Sequence, residues 1–373
     1  MERELEENYI VMKNQKTLFI IGAGASEEVG LPIGSKLKEI IANKVNIKFE
    51  NPFGQQLVSG DHRILSAVRK YVAQQQEVNQ GYQETFVRTG NYIHSAIGRS
   101  PSIDYFLSSN ADKPEVQLLG KLGIVHSILE AERSSPLYAD HRESHDPKPK
   151  LDRILNTWYN KLFMKLSNGH GRTDFQKKLH NVDFIVFNYD RCVEHYFLHT
   201  VRNLYDLDQN QAVKLLEPLN IIHPYGTVGD LPWQHSNNQV AFGDDTVTAE
   251  RLLGLSNKVA TFMEQIVDQK IISRMQKLVE NANTIIFLGF GFHDMNMTLL
   301  QPQDSHRVKN VYASAFNESK PSQDDIRDSI LNLLKANDNV LLPSDDPTIH
   351  IYDKKCTNLF DEYGRRIASC LSG

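Results

Sequence analysis

The chain has 373 residues, of which 40% are hydrophobic and 23% are charged, and its formal net charge at pH 7 is -5. This composition is ordinary for a soluble globular protein and argues against an autonomous nucleic-acid binder, which would need a basic face. No apolar run approaches the roughly 18 residues of a membrane helix. Residues 1–16 lack the pattern of a secretion signal. We therefore expect a cytoplasmic protein that uses neither nucleic acid nor membrane as a direct partner.

The three cysteines, Cys192, Cys356 and Cys370, are widely separated and form no C-x-x-C pair. Their spacing fits a reducing compartment and excludes a zinc site built from four cysteines. We therefore expect no bound metal.

Several short apolar runs have the length and the boundaries of buried parallel strands. The four clearest are residues 17–21, 184–187, 284–288 and 308–313. Residues 219–223 and 349–352 are candidates for a fifth and a sixth strand. Open α/β sheets bind ligands at the carboxyl ends of their strands, so the residues after each strand are the candidates for ligand contact.

More than a hundred residues separate the first two strands, and most of them have a helical pattern. The candidate helices are residues 64–76, 115–133 and 151–166. We predict an α/β fold with a Rossmann-like parallel sheet flanked by helices. Residues 1–50 and 181–373 would form the core, and residues 51–180 a mainly helical insertion that makes a second subdomain.

A glycine-rich turn follows the first strand and precedes a helical pattern. Its members are Gly22, Ala23, Gly24, Ala25 and Ser26. Without side chains, backbone N–H groups can approach a pyrophosphate at a helix N-terminus, so the turn predicts dinucleotide binding. The alternative is a tight strand-to-helix turn in which Ser26 caps the helix. An ordinary dinucleotide fingerprint has a third glycine where this chain has Glu27, which would crowd the packing and repel phosphate.

A conventional oxidoreductase is the second interpretation of this region. Residues 45–50 alternate like a second strand and end in Glu50. An acidic residue at that place binds the ribose in a conventional Rossmann unit.

Polar side chains follow two further strands. Asn188, Tyr189 and Asp190 come directly after the strand at 184–187, where they would face the crevice. Asn188 and Asp190 could instead cap the helix that begins near Cys192. His223 ends the fifth candidate strand, and its ordinary pKa near 6.5 suits proton transfer. A structural histidine is the alternative there.

The strand at 284–288 leads into a second glycine pair. Gly289 and Gly291 would admit a ribose at the same sheet edge, and Asp294 stands where the next helix begins. Asp294 is a candidate ligand contact and equally a candidate helix cap. After the strand at 308–313, Ser314 and Asn317 could bound the adenosine end of a dinucleotide.

The order of these motifs resembles the sirtuin family, especially the bacterial sirtuin-like NADases of antiphage defence. The similar motifs are Gly-Ala-Gly-Ala-Ser, Asn-Tyr-Asp, His-x-x-Gly and Gly-Phe-Gly-Phe-x-Asp, which cover the Rossmann core and not the insertion. In sirtuins the glycine loop holds the pyrophosphate, the Asn-x-Asp motif lies by the nicotinamide ribose, and the histidine is a general base. The resemblance assigns these roles to residues 22–26, to Asn188 with Asp190, and to His223.

The departures point to the defence branch. Deacylating sirtuins carry a zinc ribbon of four cysteines, which this chain cannot build. Residues 30–34 lack the Phe-Arg that sirtuins place after a similar Gly-x-Pro. Two residues separate His223 from Gly226, whereas sirtuins have none between histidine and glycine.

The resemblance therefore implies an NAD+ hydrolase that cleaves the nicotinamide–ribose bond and depletes NAD in abortive infection. NAD would be the substrate, with Asn188, His223 and Asp190 as catalytic residues. Uncontrolled NAD loss kills the cell, so the resemblance also implies a gated homo-oligomer and a HerA-family ATPase partner. Two alternatives stay open: a sensor of NAD or ADP-ribose without turnover, and the oxidoreductase.

Overall fold

The computed structural model describes residues 15–50, 56–75, 81–140, 147–169, 171–234, 236, 238–265, 268–304, 308–334 and 347–371. Six parallel strands form the central sheet, and two short antiparallel strands form a separate ribbon. The strands are β1 (Thr17–Ile21), β2 (Lys48–Phe49), β3 (Leu57–Ser59), β4 (Val182–Val186), β5 (Asn220–Ile222), β6 (Thr284–Leu288), β7 (Asn310–Ser314) and β8 (Thr348–Tyr352). The predicted α/β class with a Rossmann-like sheet is confirmed.

The strand order in the central sheet is β5-β4-β1-β6-β7-β8. Counted along the chain, this is the doubly wound order 3-2-1-4-5-6 of dinucleotide-binding folds. The direction of winding reverses at β1, and a crevice opens there beyond the carboxyl ends of the strands. All six predicted strands are present, although the run at 308–313 becomes a strand only from Asn310, which pairs with Thr284.

The helices cover both faces of this sheet. They are α1 (Ala23–Ser26), α2 (Gly34–Val45), α3 (His62–Gln74), α4 (Gly81–Ala96), α5 (Ile103–Ser108), α6 (Pro114–Ser134), α7 (Trp158–Ser167), α8 (Arg172–Leu179), α9 (Cys192–Tyr205), α10 (Gln209–Leu216), α11 (Ala249–Ser256), α12 (Phe262–Gln265), α13 (Gln269–Asn281), α14 (Asp294–Leu300), α15 (Lys320–Leu334) and α16 (Cys356–Leu371). None of these described helices is both long and apolar enough to cross a membrane.

Alternate side chains of each strand point to opposite faces, so the sheet separates two hydrophobic clusters. Leu18 and Ile20 of β1 belong to the cluster that contains α2 to α6. Phe19 and Ile21 belong to the cluster that contains α7 to α10 and α16. The helices of residues 51–180 therefore contribute to both faces of the sheet.

Two details of the predicted elements need correction. Residues 45–50 do not form a strand of the sheet, because α2 continues through Val45 and leaves only Lys48–Phe49 to pair with β3 in the separate ribbon. Glu50 consequently follows no strand of the central sheet. The helix expected over 151–166 is interrupted, since a short 3₁₀ turn at Leu151–Ile154 precedes α7.

A buried ion pair joins α6 to the loops around the carboxyl edge. Arg191 and Glu132 have side chains that are 1% and 0% exposed, and their closest oxygen and nitrogen lie 2.5 Å apart. Arg191 also donates to the carbonyl groups of Gly229, Val240 and Ala241. Glu132 accepts in addition from the N–H of Gly243. The pair thus fixes the loop between β5 and α11 against α6.

Replacing Glu132 with alanine would leave the Arg191 guanidinium buried without its counter-ion. Removing one partner of such a pair costs about 3–5 kcal/mol. We expect Glu132→Ala to lower the free energy of unfolding by that amount in urea denaturation. The exposed i,i+4 pair of Glu84 and Arg88 provides the control, because Glu84→Ala should cost less than about 1 kcal/mol. Similar losses in the two variants would contradict this prediction.

Candidate active site

A cleft of about 880 Å³ opens at the carboxyl ends of β1, β4 and β6. Its lining includes six of the residues selected from the sequence, namely Gly22, Ala23, Gly24, Asn188, Gly289 and Gly291. The loops that carry them, distant in sequence, therefore meet at the predicted edge of the sheet.

A second space of about 930 Å³ continues along the same edge toward β7 and β8. It shares Gly24, Ile33, Gly289, Phe290 and Gly291 with the first cleft. The two spaces are hence lobes of one groove that meet above the glycine loops. We call them the first lobe, which contains Asn188, and the second lobe, which contains Ser314 and Asn317.

The two glycine loops are packed backbone to backbone. A Cβ on Gly22 would lie 2.5 Å from the Gly289 carbonyl oxygen, and a Cβ on Gly289 would lie 2.1 Å from the Ala25 nitrogen. Gly289 also has a φ of +55°, which disfavours other residues. Glycine is thus required at both positions for contact between the loops, in addition to any ligand.

Several N–H groups of the first loop are already used. Those of Gly22, Gly24 and Ala25 donate to Leu288, Gly289 and Gly22 respectively, at 2.9, 3.0 and 3.0 Å. In addition, α1 is only four residues long. The loop therefore has fewer free N–H groups to donate to a phosphate than the sequence predicts. What it provides is mainly space for a ligand to approach its backbone closely.

Asn188 lies at the base of the first lobe and is 8% exposed. Its Nδ2 donates to the Gly22 carbonyl at 3.1 Å and to the Ser26 Oγ at 2.9 Å. Both amide protons are thereby used, and no partner for Oδ1 is found in the described part of the chain. The carboxamide oxygen remains available to a ligand in the cleft.

His223 lies beside Asn188 but does not line the first lobe. Its Nδ1 is 3.0 Å from the backbone carbonyl oxygen of Asn188, and its Nε2 is 2.7 Å from Glu194 Oε1. A carbonyl and a carboxylate only accept hydrogen bonds, so the imidazole satisfies both when it carries two protons. Burial lowers the pKa of His223, but Glu194 and the Asn188 carbonyl outweigh it and leave the pKa raised.

The other expected site residues occupy supporting positions outside the lobe lining. Asp190 accepts from the N–H of Cys192, the first residue of α9, at 3.1 Å, while Arg191 holds the N-cap position of that helix. Tyr189 is buried and donates its hydroxyl to Asp104. Ala25 and Ser26 are buried in α1, and Asp294 begins α14.

The helical segment brings an unexpected carboxyl group into the first lobe. Asp104, in the first turn of α5, lines the cleft next to Ser102 and Tyr105. Burial raises the pKa of Asp104, although hydrogen bonds from Tyr189 and Ser102 lower it in part. A carboxyl group with a raised pKa is suited to proton transfer near neutral pH. Sequence reasoning missed Asp104 because it follows none of the strands.

Two more elements complete the opposite wall of the first lobe. His293 contacts the edge of the Tyr105 ring, with ring centroids 5.5 Å apart. Tyr225 donates to the side chain of Asn296 at 2.7 Å. His293 lies two residues after Gly291, and this spacing was the signal that could have placed it at the cleft.

One cluster of the described residues has the chemistry of a metal site. Asp61, His126 and Glu130 have ligand atoms within 4.8 Å of one another. The Lys44 ammonium nitrogen lies 2.6 Å from Glu130 and 3.1 Å from His126 Nδ1. A lysine therefore already supplies the positive charge, and the cluster lies outside both lobes.

Compared with models of known protein families and with curated proteins, the chain matches none. The resemblance to sirtuin-like NADases consequently depends on the motifs and on the way their loops converge.

The His223–Glu194 pair should make stability depend on pH. The folded-state pKa of His223 is raised, so the pair stabilises the fold fully below pH 6.5 and loses its effect as pH rises through the folded pKa. We expect Glu194→Gln to lower the free energy of unfolding by about 1.5–3 kcal/mol near pH 6. The loss should be clearly smaller near pH 9.

Chemical denaturation at both pH values tests this. The exposed Glu217, changed to glutamine, is the matched control and should show no such dependence. A Glu194→Gln effect that is constant from pH 6 to pH 9 would disprove a charged pair.

Proposed function

We infer that the protein is an NAD+ hydrolase that cleaves the nicotinamide–ribose bond and releases nicotinamide and ADP-ribose. One observation carries the inference: a two-lobed groove lies at the switch point of a doubly wound sheet, with the Asn188 amide fixed at its base. Ligands of such sheets bind at this place. The type of reaction is inferred from the resemblance of the sequence motifs to those of sirtuin-like NADases.

In this proposal the nicotinamide ribose occupies the first lobe and the adenosine the second, so the pyrophosphate crosses the glycine loops. Lys354 and Lys355 in the second lobe provide positive charge for the phosphates. Glu27 also lines that lobe, but Lys355 lies 3.2 Å from its carboxylate. This ion pair offsets the repulsion expected between Glu27 and phosphate.

The reaction needs a positioned water more than an acid. Water attacks C1′ of the ribose, the bond from C1′ to the pyridinium nitrogen breaks, and its electron pair neutralises the ring. Nicotinamide leaves as a neutral molecule, while the carbon passes through an oxocarbenium-like state. Asn188 Oδ1 orients the water or the ribose hydroxyl groups, and the Asp104 carboxylate accepts the proton of the water.

His223 then acts as a positioning residue rather than as the general base that the resemblance implies. Both of its nitrogens are engaged by acceptors, so the imidazolium has no lone pair for a proton from water. Its hydrogen bond to the backbone carbonyl of Asn188 fixes the backbone from which the Asn188 side-chain amide extends. Asp190 supports the same loop by accepting from the N–H of Cys192 at the start of α9.

The proposed setting is antiphage defence by abortive infection. A cell tolerates an NADase only while it is silent, and the proposal therefore includes a homo-oligomer gated by a HerA-family ATPase, by analogy with the defence branch. Leu155 and Met164 are both more than half exposed, and the Asn160 amide contacts both residues.

Binding of NAD or ADP-ribose without turnover is the second candidate. It is favoured by the state of His223, whose engaged nitrogens leave Asp104, Tyr105, Tyr225 and His293 as the ionisable groups among the described residues of the first lobe. The oxidoreductase interpretation loses its support, because Glu50 does not follow a strand of the central sheet.

Product analysis by mass after incubation with NAD tests the proposal. We expect nicotinamide and ADP-ribose in equal amounts, and a loss of roughly 10²–10⁴-fold in kcat for Asp104→Asn with KM little changed. Asn188→Ala should abolish turnover. Asp112→Asn, an exposed carboxylate outside the groove, is the control. NAD that binds but stays intact would support the sensor, and a fully active Asn188→Ala variant would refute the assigned site.

The second lobe makes a separate prediction about affinity. Phe316 is 57% exposed in that lobe, and the Lys355 ammonium lies 5.3 Å from its ring centroid. The next residue, Asn317, is anchored by a hydrogen bond of 2.6 Å from its N–H to Asp353. A fixed, exposed ring of this kind is a stacking surface for the adenine.

Loss of a stacked base costs roughly 1–3 kcal/mol. Phe316→Ala should therefore weaken ADP-ribose binding about 5- to 150-fold in calorimetry, while Phe316→Tyr retains it. Leu204→Ala removes an equally exposed apolar side chain outside the groove and should have no effect. Equal affinity of Phe316→Ala and the unmodified chain would rule out stacking on this ring.

A further inference from the structure

A separate cavity of about 890 Å³ lies on the β5 side of His223. Among the described residues it shares no lining residue with either lobe of the groove. Leu216, Leu219 and Ile221 form an apolar wall. The polar part of the lining comprises Arg191, Glu194, His223, Thr227, Asp230, Trp233 and Gln234.

Two polar atoms of this lining are buried without a hydrogen-bond partner in the described part of the chain. They are Oε2 of Glu194 and Nε1 of Trp233. Glu194 is only 5% exposed, and its other oxygen, Oε1, accepts a hydrogen bond from His223 Nε2. A buried polar atom without a partner costs about 1–3 kcal/mol, so a hydrogen-bond donor from outside the chain would be favoured at Glu194 Oε2.

The charged groups around the cavity indicate which kind of ligand would be favoured. All five N–H donors of Arg191 are used, by Glu132 and by three backbone carbonyl groups. Of the charged lining residues, Arg191 is paired with Glu132, which lies outside the lining, and His223 is paired with Glu194, so Asp230 is the remaining carboxylate. No ion pair of Asp230 is found within the described ranges. The surroundings are therefore negative and rich in acceptors.

We propose that this cavity is a binding site for a small organic cation with an ammonium or guanidinium group on an apolar stem. The cationic group donates to Glu194 Oε2 and to the Asp230 carboxylate, and the stem lies on Leu216, Leu219 and Ile221. The indole of Trp233 adds an aromatic surface, which attracts cations. The site does not depend on NAD cleavage, since it lies outside the groove.

Calorimetry with agmatine, which has a guanidinium and an ammonium on a four-carbon stem, tests the site on the full chain. We expect saturable binding with one equivalent, weakened at least 10-fold by Asp230→Asn. Asp230 makes no side-chain hydrogen bond among the described residues, so the fold should tolerate this change. Asp112→Asn is the matched control and should bind agmatine unchanged. Valeramide, an uncharged amide of similar length, should bind at least 10-fold more weakly.

Fluorescence supplies a readout that does not rely on the Asp230 variant. The chain has two tryptophans, and Trp158 is fully buried and does not line the cavity. Agmatine should therefore change the emission of Trp233, and Trp233→Phe should remove that change. Absence of binding to the folded chain, equal binding by Asp230→Asn, or preference for valeramide would each overturn the proposal.

Discussion

The constraint on which the site depends is the need of one buried guanidinium for five acceptors. Arg191 stands between the strand-end motif that begins at Asn188 and the helix that carries Glu194. Water cannot satisfy its donors, because the side chain is 1% exposed. Glu132 and three carbonyl groups of the loop between β5 and α11 must therefore come to it. Their convergence fixes Asn188 on one side of Arg191 and Glu194 on the other.

A second constraint is the close backbone contact between the loops that follow β1 and β6. The Gly22–Gly24 turn and Gly289 approach so closely that any Cβ would collide with backbone. Asn188 adds a side-chain bond from the neighbouring strand to the Gly22 carbonyl. The base of the groove is thus a rigid backbone junction of three strand ends. Such rigidity suits a reaction in which a water molecule must be held against one carbon atom.

The sheet and the base of the groove could be predicted because they follow from local patterns. Buried parallel strands are short apolar runs in the sequence. Their carboxyl ends lie at the same edge of the sheet, whatever the length and structure of the segments that connect them. Asp104 could not be found this way, since it reaches Tyr189 across 85 residues through the packing of α5. The strand expected at 45–50 was wrong for a related reason: α2 extends to Val45, and tertiary packing outweighs a short alternating pattern.

His223 shows why residue type at a strand end does not settle its chemistry. The sequence places an imidazole beside the groove, and an isolated imidazole near pH 7 is an effective base. Here a carboxylate from α9 and a carbonyl from the adjacent loop both accept from it, which favours the charged form. Glu194 also lines the separate cavity on the β5 side of His223, and its Oε2 has no hydrogen-bond partner among the described residues. One side chain therefore connects that cavity, through His223, to the backbone of Asn188.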